Sequence, residues 1–237
     1  MKEVMVSKYL NVNYEDYYAD GDSEWRWLGA LGKAENIQLL CRNIPRKTVI
    51  EIGAGEGSIL KRLSDAGFGE KLWALEISPS GVEVIRSKNI PNLVECNVFD
   101  GYQVPYPDGA FDLAILSHVV EHVEHPRLLL YEAARVARYV FVEVPLEDNV
   151  GLPMNFAFDS VGHINAYSPK SIRRLIQSCN LKILQQITRG PPRGIYTFKR
   201  GRRGLVNYYI KASLLKVWPG LATKLFTYHA AIICTRG

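Results

Sequence analysis

From residue 48 onward, short apolar runs alternate with amphipathic stretches. TVIEIG (48–53), KLWALEI (71–77), NLVECNV (92–98), FDLAILS (111–117) and YVFVEVP (139–145) are rich in β-branched and aromatic residues and predict buried strands. SILKRLSDAG (58–67) predicts an amphipathic helix stopped at Gly67, and SPSGVEVIRSK (78–88) one capped by Ser78 with Pro79 in its first turn. HPRLLLYEAARVAR (125–138) supplies the helix between the last two of these strands. Upstream, WRWLGALGKAENIQLLCRN (25–43) has apolar residues at helical spacing and stops before Pro45. Such alternation predicts an α/β fold, a doubly wound and mostly parallel sheet covered on both faces.

After Pro145 the rhythm changes. Residues 146–168 are loop-like, SPKSIRRLIQSCN (168–180) predicts a capped helix, and LKILQQITR (181–189) a strand. RGPPRG (189–194) and KRGRRG (199–204) read as basic turns, LVNYYIKASLLKVWPGLATKLF (205–226) as a helix broken near Pro219, and TYHAAIICTR (227–236) as a closing strand. The last two strands complete a seven-stranded sheet with an antiparallel edge strand. One domain spans 1–237: an N-terminal helical lid (1–45), a core (46–145), and a part (146–237) with a loop, a basic helical insertion and edge strands. Tyr14, Tyr17, Tyr18, Trp25 and Trp27 give the first segment the aromatic density of a lid, or of a helix anchored on the core.

Composition narrows the class. No apolar stretch is long enough to span a bilayer, and MKEVMVSKYLNVNYEDYY lacks the apolar core of a signal peptide. Cys41, Cys96, Cys179 and Cys234 are scattered without a CxxC pair, so neither a zinc knuckle nor a disulfide framework is expected, and a reduced, cytoplasmic protein is. The net charge of +5 hides a split: residues 1–160 hold all 24 acidic residues, whereas 161–237 hold 14 Lys and Arg and no acid. A basic third of this kind suits an anionic partner, or solvates helix faces and pairs with the acidic part.

VIEIGAGEGSIL (49–60) is a strand, a GxGxG turn and a helix start. Gly53 and Gly55 let backbone approach a ligand, and Gly57 starts the next helix tightly with its free N–H groups toward the site. Glu76 closes the next strand, where a carboxylate accepts two ribose hydroxyls. Glu51, inside the first strand, opposes a diphosphate and favours a ligand with a cationic amino group.

These residues, with LEIS, CNVFDGYQVPYPDGAFDLAILSHVVEHVEHP and FVEVP, make the chain resemble the small stand-alone class I S-adenosylmethionine-dependent methyltransferases from about Thr48 to Pro145. The resemblance implies a Rossmann-like fold and S-adenosylmethionine as cofactor. It implies that Gly53, Ala54, Gly55 and Gly57 wrap the methionine part with Glu51 near its amino group. Glu76 then holds the ribose, Ile77 packs on adenine, and Asn97, where aspartate is commoner, meets the adenine amine beside the Val98 N–H. The stretch before Pro105 is about two residues longer than usual, so Asp100 either replaces that aspartate or caps a turn.

LSHVVEHVEHP (116–126) follows the fourth strand, at the carboxyl edge where open α/β sheets bind ligands. Ser117 closes that strand and faces the cofactor cleft. For His118, Glu121 and His122 three readings stand: a hydrogen-bonded turn, a general base for the methyl acceptor, or a divalent metal site. The last arises because ubiquinone-pathway O-methyltransferases and small-RNA terminal 2′-O-methyltransferases resemble this segment and use an acid, Glu-His and a later histidine for a metal. Here His163 is the later histidine, but His118 replaces the first acid. The expectation is a substrate-side turn with His122 and His163 the leading base candidates, His118 the third, and no resident metal; His163 is equally suited to tying down its loop.

Methyl transfer to an oxygen or nitrogen of a small, acidic or amphiphilic metabolite is the function these features imply, with 199–226 at the substrate entrance. The alternatives are RNA methylation through the basic third, an anionic membrane surface as partner, and a non-catalytic cofactor-binding protein.

Overall fold

The computed structural model describes residues 23–156 and 162–237. Its strands are β1 (Thr48–Ile52), β2 (Lys71–Glu76), β3 (Leu93–Val98), β4 (Phe111–Ser117), β5 (Ala137–Pro145), β6 (Leu181–Arg189) and β7 (His229–Arg236). They form one sheet in the order β3-β2-β1-β4-β5-β7-β6. β1 to β5 run parallel to one another. β7 is the antiparallel strand of the expected edge pair, inserted between β5 and β6.

The helices are α1 (Ser23–Leu40), α2 (Ser58–Asp65), α3 (Pro79–Ser87), α4 (Pro126–Val136), α5 (Pro169–Ser178), α6 (Arg193–Val217) and α7 (Pro219–Leu225). Period-two alternation along the strands divides the core. Val49, Leu113, Ile115, Phe141 and Ile233 pack with Ile37 of α1, Leu60 of α2 and Ile85 of α3. Ile50, Ile52, Leu116, Val140 and Val142 pack on the other face with Leu129 of α4 and Ile172 and Ile176 of α5. The same alternation puts Glu51, Ser117, Glu143 and His229 on the α1 face, near the carboxyl ends of the parallel strands. None of the described helices is long and apolar enough to cross a membrane.

Two expectations change. NLVECNV is a half-exposed edge strand, with Val94 and Val98 open to solvent, because among the described residues no strand pairs beyond β3. KRGRRG is a tight kink rather than an open turn, joining two helical stretches that together make up α6. Only Gly201 leaves helical geometry (φ 55°, ψ −145°), and the chain resumes its helix at once. A Cβ at Gly204 would lie 2.0 Å from the Tyr196 carbonyl oxygen, so this glycine serves close backbone packing across the kink. Tyr14, Tyr17 and Tyr18 of the expected lid fall outside the described residues. Trp27 lies in α1 with the Arg62 guanidinium 3.7 Å from its ring centre, which ties α1 to α2.

Candidate active site

The turn from β1 to α2 is built on left-handed backbone at Gly53 (φ 77°), Gly55 (φ 59°) and Gly57 (φ 76°). A Cβ at Gly53 would meet Val119 at 2.6 Å, and one at Gly57 would meet Ile85 at 2.9 Å. These two glycines therefore serve packing as well as ligand approach. Glu76 is buried at the end of β2 and accepts from the Gly55 N–H (2.7 Å) and the Ser78 N–H (3.1 Å). Burial raises its pKa, against the pull of those backbone N–H groups. The carboxylate thus anchors the turn it is expected to serve, with lone pairs left for a diol. Arg26 of α1 braces the same turn through Glu56 at 3.2 Å.

Among the described residues, the buried atoms on this edge with no hydrogen-bond partner include Glu51 Oε2 and Ser117 Oγ, together with His118 Nε2, both Glu121 oxygens and Glu143 Oε2 of the neighbouring cluster. Burial pushes the Glu51 carboxyl up to about 8, opposed by Lys33 and reinforced by Glu76. A buried acid with an unpartnered oxygen beside a left-handed glycine turn fits a ligand that brings its own cation. Ile77, just after β2, packs close to Gly101, where an added Cβ would lie 3.6 Å from Ile77 Cγ2. Asn97 turns its amide to Glu95 Oε1 at 2.7 Å, and Val98 is exposed on the edge strand. Asp100 Oδ1 accepts from the N–H groups of Tyr102 (2.8 Å) and Gln103 (2.6 Å), so this residue caps a turn.

The histidines converge. His118 follows β4 in the left-handed region (φ 59°), a costly conformation for a non-glycine residue. Its N–H donates to the Glu143 carbonyl at 2.8 Å, while Nδ1 lies 3.2 Å from Glu121 Oε1 and Nε2 4.0 Å from Glu143 Oε1. His229 Nδ1 stands 3.4 Å from the same Glu143 oxygen, and its ring meets His118 edge-on at 4.5 Å. His122 Nδ1 is 3.1 Å from the Gly162 carbonyl and its ring 4.7 Å from that of His163. A carbonyl only accepts, so Nδ1 carries the proton and neutral His122 has its lone pair on Nε2. Burial holds His122 below its ordinary pKa, and burial with Lys33 and His229 holds His118 further below. His163 Nδ1 is 2.7 Å from Glu147 Oε2, so this residue both secures its loop and joins the cluster. His125 is exposed at the N-cap of α4, with no side-chain cap bond.

Four residues of this cluster were not singled out from the sequence: Lys33, Asn36, Glu143 and His229. Lys33 and Asn36 are one helical step apart, amid the buried Ala30, Ala34 and Ile37 of α1. Asn36 Nδ2 donates to Glu143 Oε1 at 3.2 Å. Burial lowers the Lys33 pKa, while Glu143, Glu121 and Glu51 counter that loss. Burial raises and His229, His118 and Lys33 lower the Glu143 pKa, and the cationic side wins. The available signal was polarity in apolar surroundings: an acid inside FVEVP, and two polar residues on an inward helix face.

Glu121, His122 and His163 place ligand atoms within 4.8 Å of one another, as do His118, Glu143 and His229. The expectation of no resident metal has a physical basis in Lys33, whose ammonium acts on the carboxylates of both groups and would oppose a divalent ion. Elemental analysis of the purified protein should show no stoichiometric divalent metal, and turnover should survive chelation. A stoichiometric ion lost in His122→Ala would reverse that assignment.

The profile of the methyltransferase domain family matches residues 27–186, and the chain belongs to this family. Its class is that of the class I S-adenosylmethionine-dependent methyltransferases, whose strand order it shares. Ajmaline N-methyltransferase of Rauvolfia serpentina is 27% identical over 38% of this chain and 32% of its own length. A probable chloroplastic tocopherol O-methyltransferase of Oryza sativa subsp. japonica is 30% identical over 38% of this chain and 26% of its own. Among the curated relatives it matches first, the chain spans 32% to 57% of their length. Magnesium protoporphyrin IX methyltransferase of Synechocystis, solved with bound S-adenosylhomocysteine, has a TM-score of 0.59 at 15% identity, covering 95% of this chain and 94% of its own. A Haloferax volcanii complex of the Trm112 methyltransferase activator with a methyltransferase gives 0.64 at 15% identity, covering 98% and 99%.

Proposed function

We propose that this chain transfers a methyl group from S-adenosylmethionine to an oxygen or nitrogen of a small, acidic or amphiphilic metabolite. The observation that carries the reading is the unpartnered Glu51 Oε2, buried behind the glycine turn and on the same sheet edge as the histidine cluster. When bound, the cofactor supplies a methyl group made electrophilic by its sulfonium. The chain's own residues bind, orient and exclude water. Gly53, Ala54, Gly55 and Gly57 receive the methionine part, Glu51 its ammonium, and Glu76 the ribose hydroxyls. Ile77 and the backbone of Val98 flank the base, with Asn97 at its rim, and Ser117 offers its hydroxyl to the cleft.

On the acceptor side, the residues that hold or take a proton are His122, His163 and His118. Neutral His122 presents a lone pair on Nε2, the state a base needs before reaction. Glu121 and Glu147 orient His118 and His163, and the buried carboxylates stabilise an imidazolium once it forms.

The Glu51 carboxyl gives a direct test. With a pKa of about 8 it is protonated at neutral pH, and an ammonium against it favours the ionised form. Cofactor binding at pH 7 should therefore release a proton from this group, and affinity should rise with pH toward that value. Calorimetry in two buffers of different ionisation heat reads the proton count. Glu51→Gln should remove this contribution; a buffer dependence identical in wild type and variant would sink the Glu51 assignment.

A further inference from the structure

A cavity of about 480 Å³ opens between α1, α6 and the end of β6, within the size range of small-ligand sites. Its wall carries Arg189, Lys211 and Lys216 with Tyr196, Tyr208 and Tyr228. The opposing acid on its lining is Glu35 of α1. Lys211 is half-buried, and among the described residues no carboxylate forms an ion pair with it. Its ammonium donates to the Thr227 carbonyl at 2.9 Å and lies 5.1 to 5.6 Å from the ring centres of Tyr228, Tyr196 and Phe226. Burial lowers the Lys211 pKa with no carboxylate offsetting it, unlike Lys33. This half-buried ammonium has donors beyond one carbonyl and, among the described residues, no carboxylate in an ion pair with it.

The cavity adjoins the histidine cluster through three of its lining residues. Asn36 donates to Glu143 and accepts from Arg189 Nη1 at 3.3 Å. Tyr228 immediately precedes His229, and Arg189 pairs with His229 in the β6–β7 register. Its cations are not those the sequence drew attention to: Arg200, Arg202 and Arg203 are exposed around the Gly201 kink and do not line it.

We infer that this cavity is the acceptor's anion subsite, in which Lys211, with Arg189 and Lys216, receives a carboxylate or phosphate group while the tyrosines cover a flat apolar body. The inference rests on the methyl-transfer reading and names its substrate class. The acceptor then extends past Asn36 toward His118 and His229, so one molecule meets both the cations and the cluster. A hydrated surface patch would not select for a ring; a cation walled by tyrosines does.

The test is calorimetric titration of the full chain, saturated with S-adenosylhomocysteine, with benzoate, with inorganic phosphate, and with benzyl alcohol as a neutral control. Either anion should bind and the alcohol should not; the preferred anion identifies the group as carboxylate or phosphate. Lys211→Met should weaken that binding at least tenfold and Lys216→Gln at least twofold, whereas the triple variant Arg200→Ser, Arg202→Ser, Arg203→Ser should retain it. Lys216 is exposed, so its variant tests the cavity even if Lys211→Met folds poorly. Binding of neither anion, or binding lost only in the triple arginine variant, overturns the inference. Failure to bind S-adenosylhomocysteine at all would instead count against the methyl-transfer reading beneath it.

Discussion

Glu76→Ala should bind S-adenosylmethionine about 2–3 kcal/mol more weakly than the wild type, a loss of some two orders of magnitude in affinity. Two causes act together. The cleft loses the acceptor for the ribose hydroxyls, and Gly55 and Ser78 lose the carboxylate that their N–H groups bind at 2.7 and 3.1 Å. Glu76→Gln separates them, since a side-chain amide oxygen still accepts one of those bonds and should recover part of the loss. Gly55→Val should abolish binding, because a β-branched side chain avoids the left-handed backbone (φ 59°) held at that position. Calorimetry on the three variants, with circular dichroism to show that each is folded, checks the assignment. Unchanged affinity in Glu76→Ala would remove Glu76 from the site.

His122→Ala should lower kcat about 10²- to 10⁴-fold with cofactor affinity intact, the range for loss of a positioned general base. The pH dependence carries the sign. Burial first, with His163 and Lys33 assisting, lowers the His122 pKa, so its neutral form persists through the neutral range. Turnover should be flat there and fall only as the pH drops below the ordinary histidine value of 6.5, when the base becomes protonated. In His122→Ala the residual rate should lose that acidic limb. A variant turning over at the wild-type rate would pass the role to His118 or His163. Those two are distinguishable, because Glu121→Gln weakens the orientation of His118 and Glu147→Gln that of His163.

The order of elements from β1 to β5, the glycine turn and the acid closing β2 are local facts, and the sequence by itself determined them. A period-two apolar run, a capped amphipathic stretch or a left-handed glycine turn depends on neighbours within a few residues. Ser78 capping α3 and the Ser168–Ser171 capping box of α5 are of the same kind. The basic third was legible as a charge imbalance, but its two parts separated only in space: Lys211 faces a cavity, whereas Arg200, Arg202 and Arg203 face solvent.

Tertiary structure decided which polar residues share a site. Lys33, Glu143 and His229 are 110 and 86 residues apart along the chain and meet because α1 packs over the carboxyl end of β5 and the amino end of the antiparallel β7. No local pattern encodes that approach, since it follows from strand order: β7 inserts between β5 and β6 and brings His229 opposite Pro145. The same insertion sets Arg189 beside His229 and closes the cavity between α1 and α6. On the edge strand β3, the Asn97 side chain donates its Nδ2 to Glu95 Oε1, a contact that fixes which end of the amide is left to accept. Asp100, ambiguous in the sequence, is spent on the N–H groups of Tyr102 and Gln103. The sequence supplied a carboxylate or an imidazole at each place; burial and the neighbours brought by the sheet decided whether it kept a free lone pair, a proton or a partner.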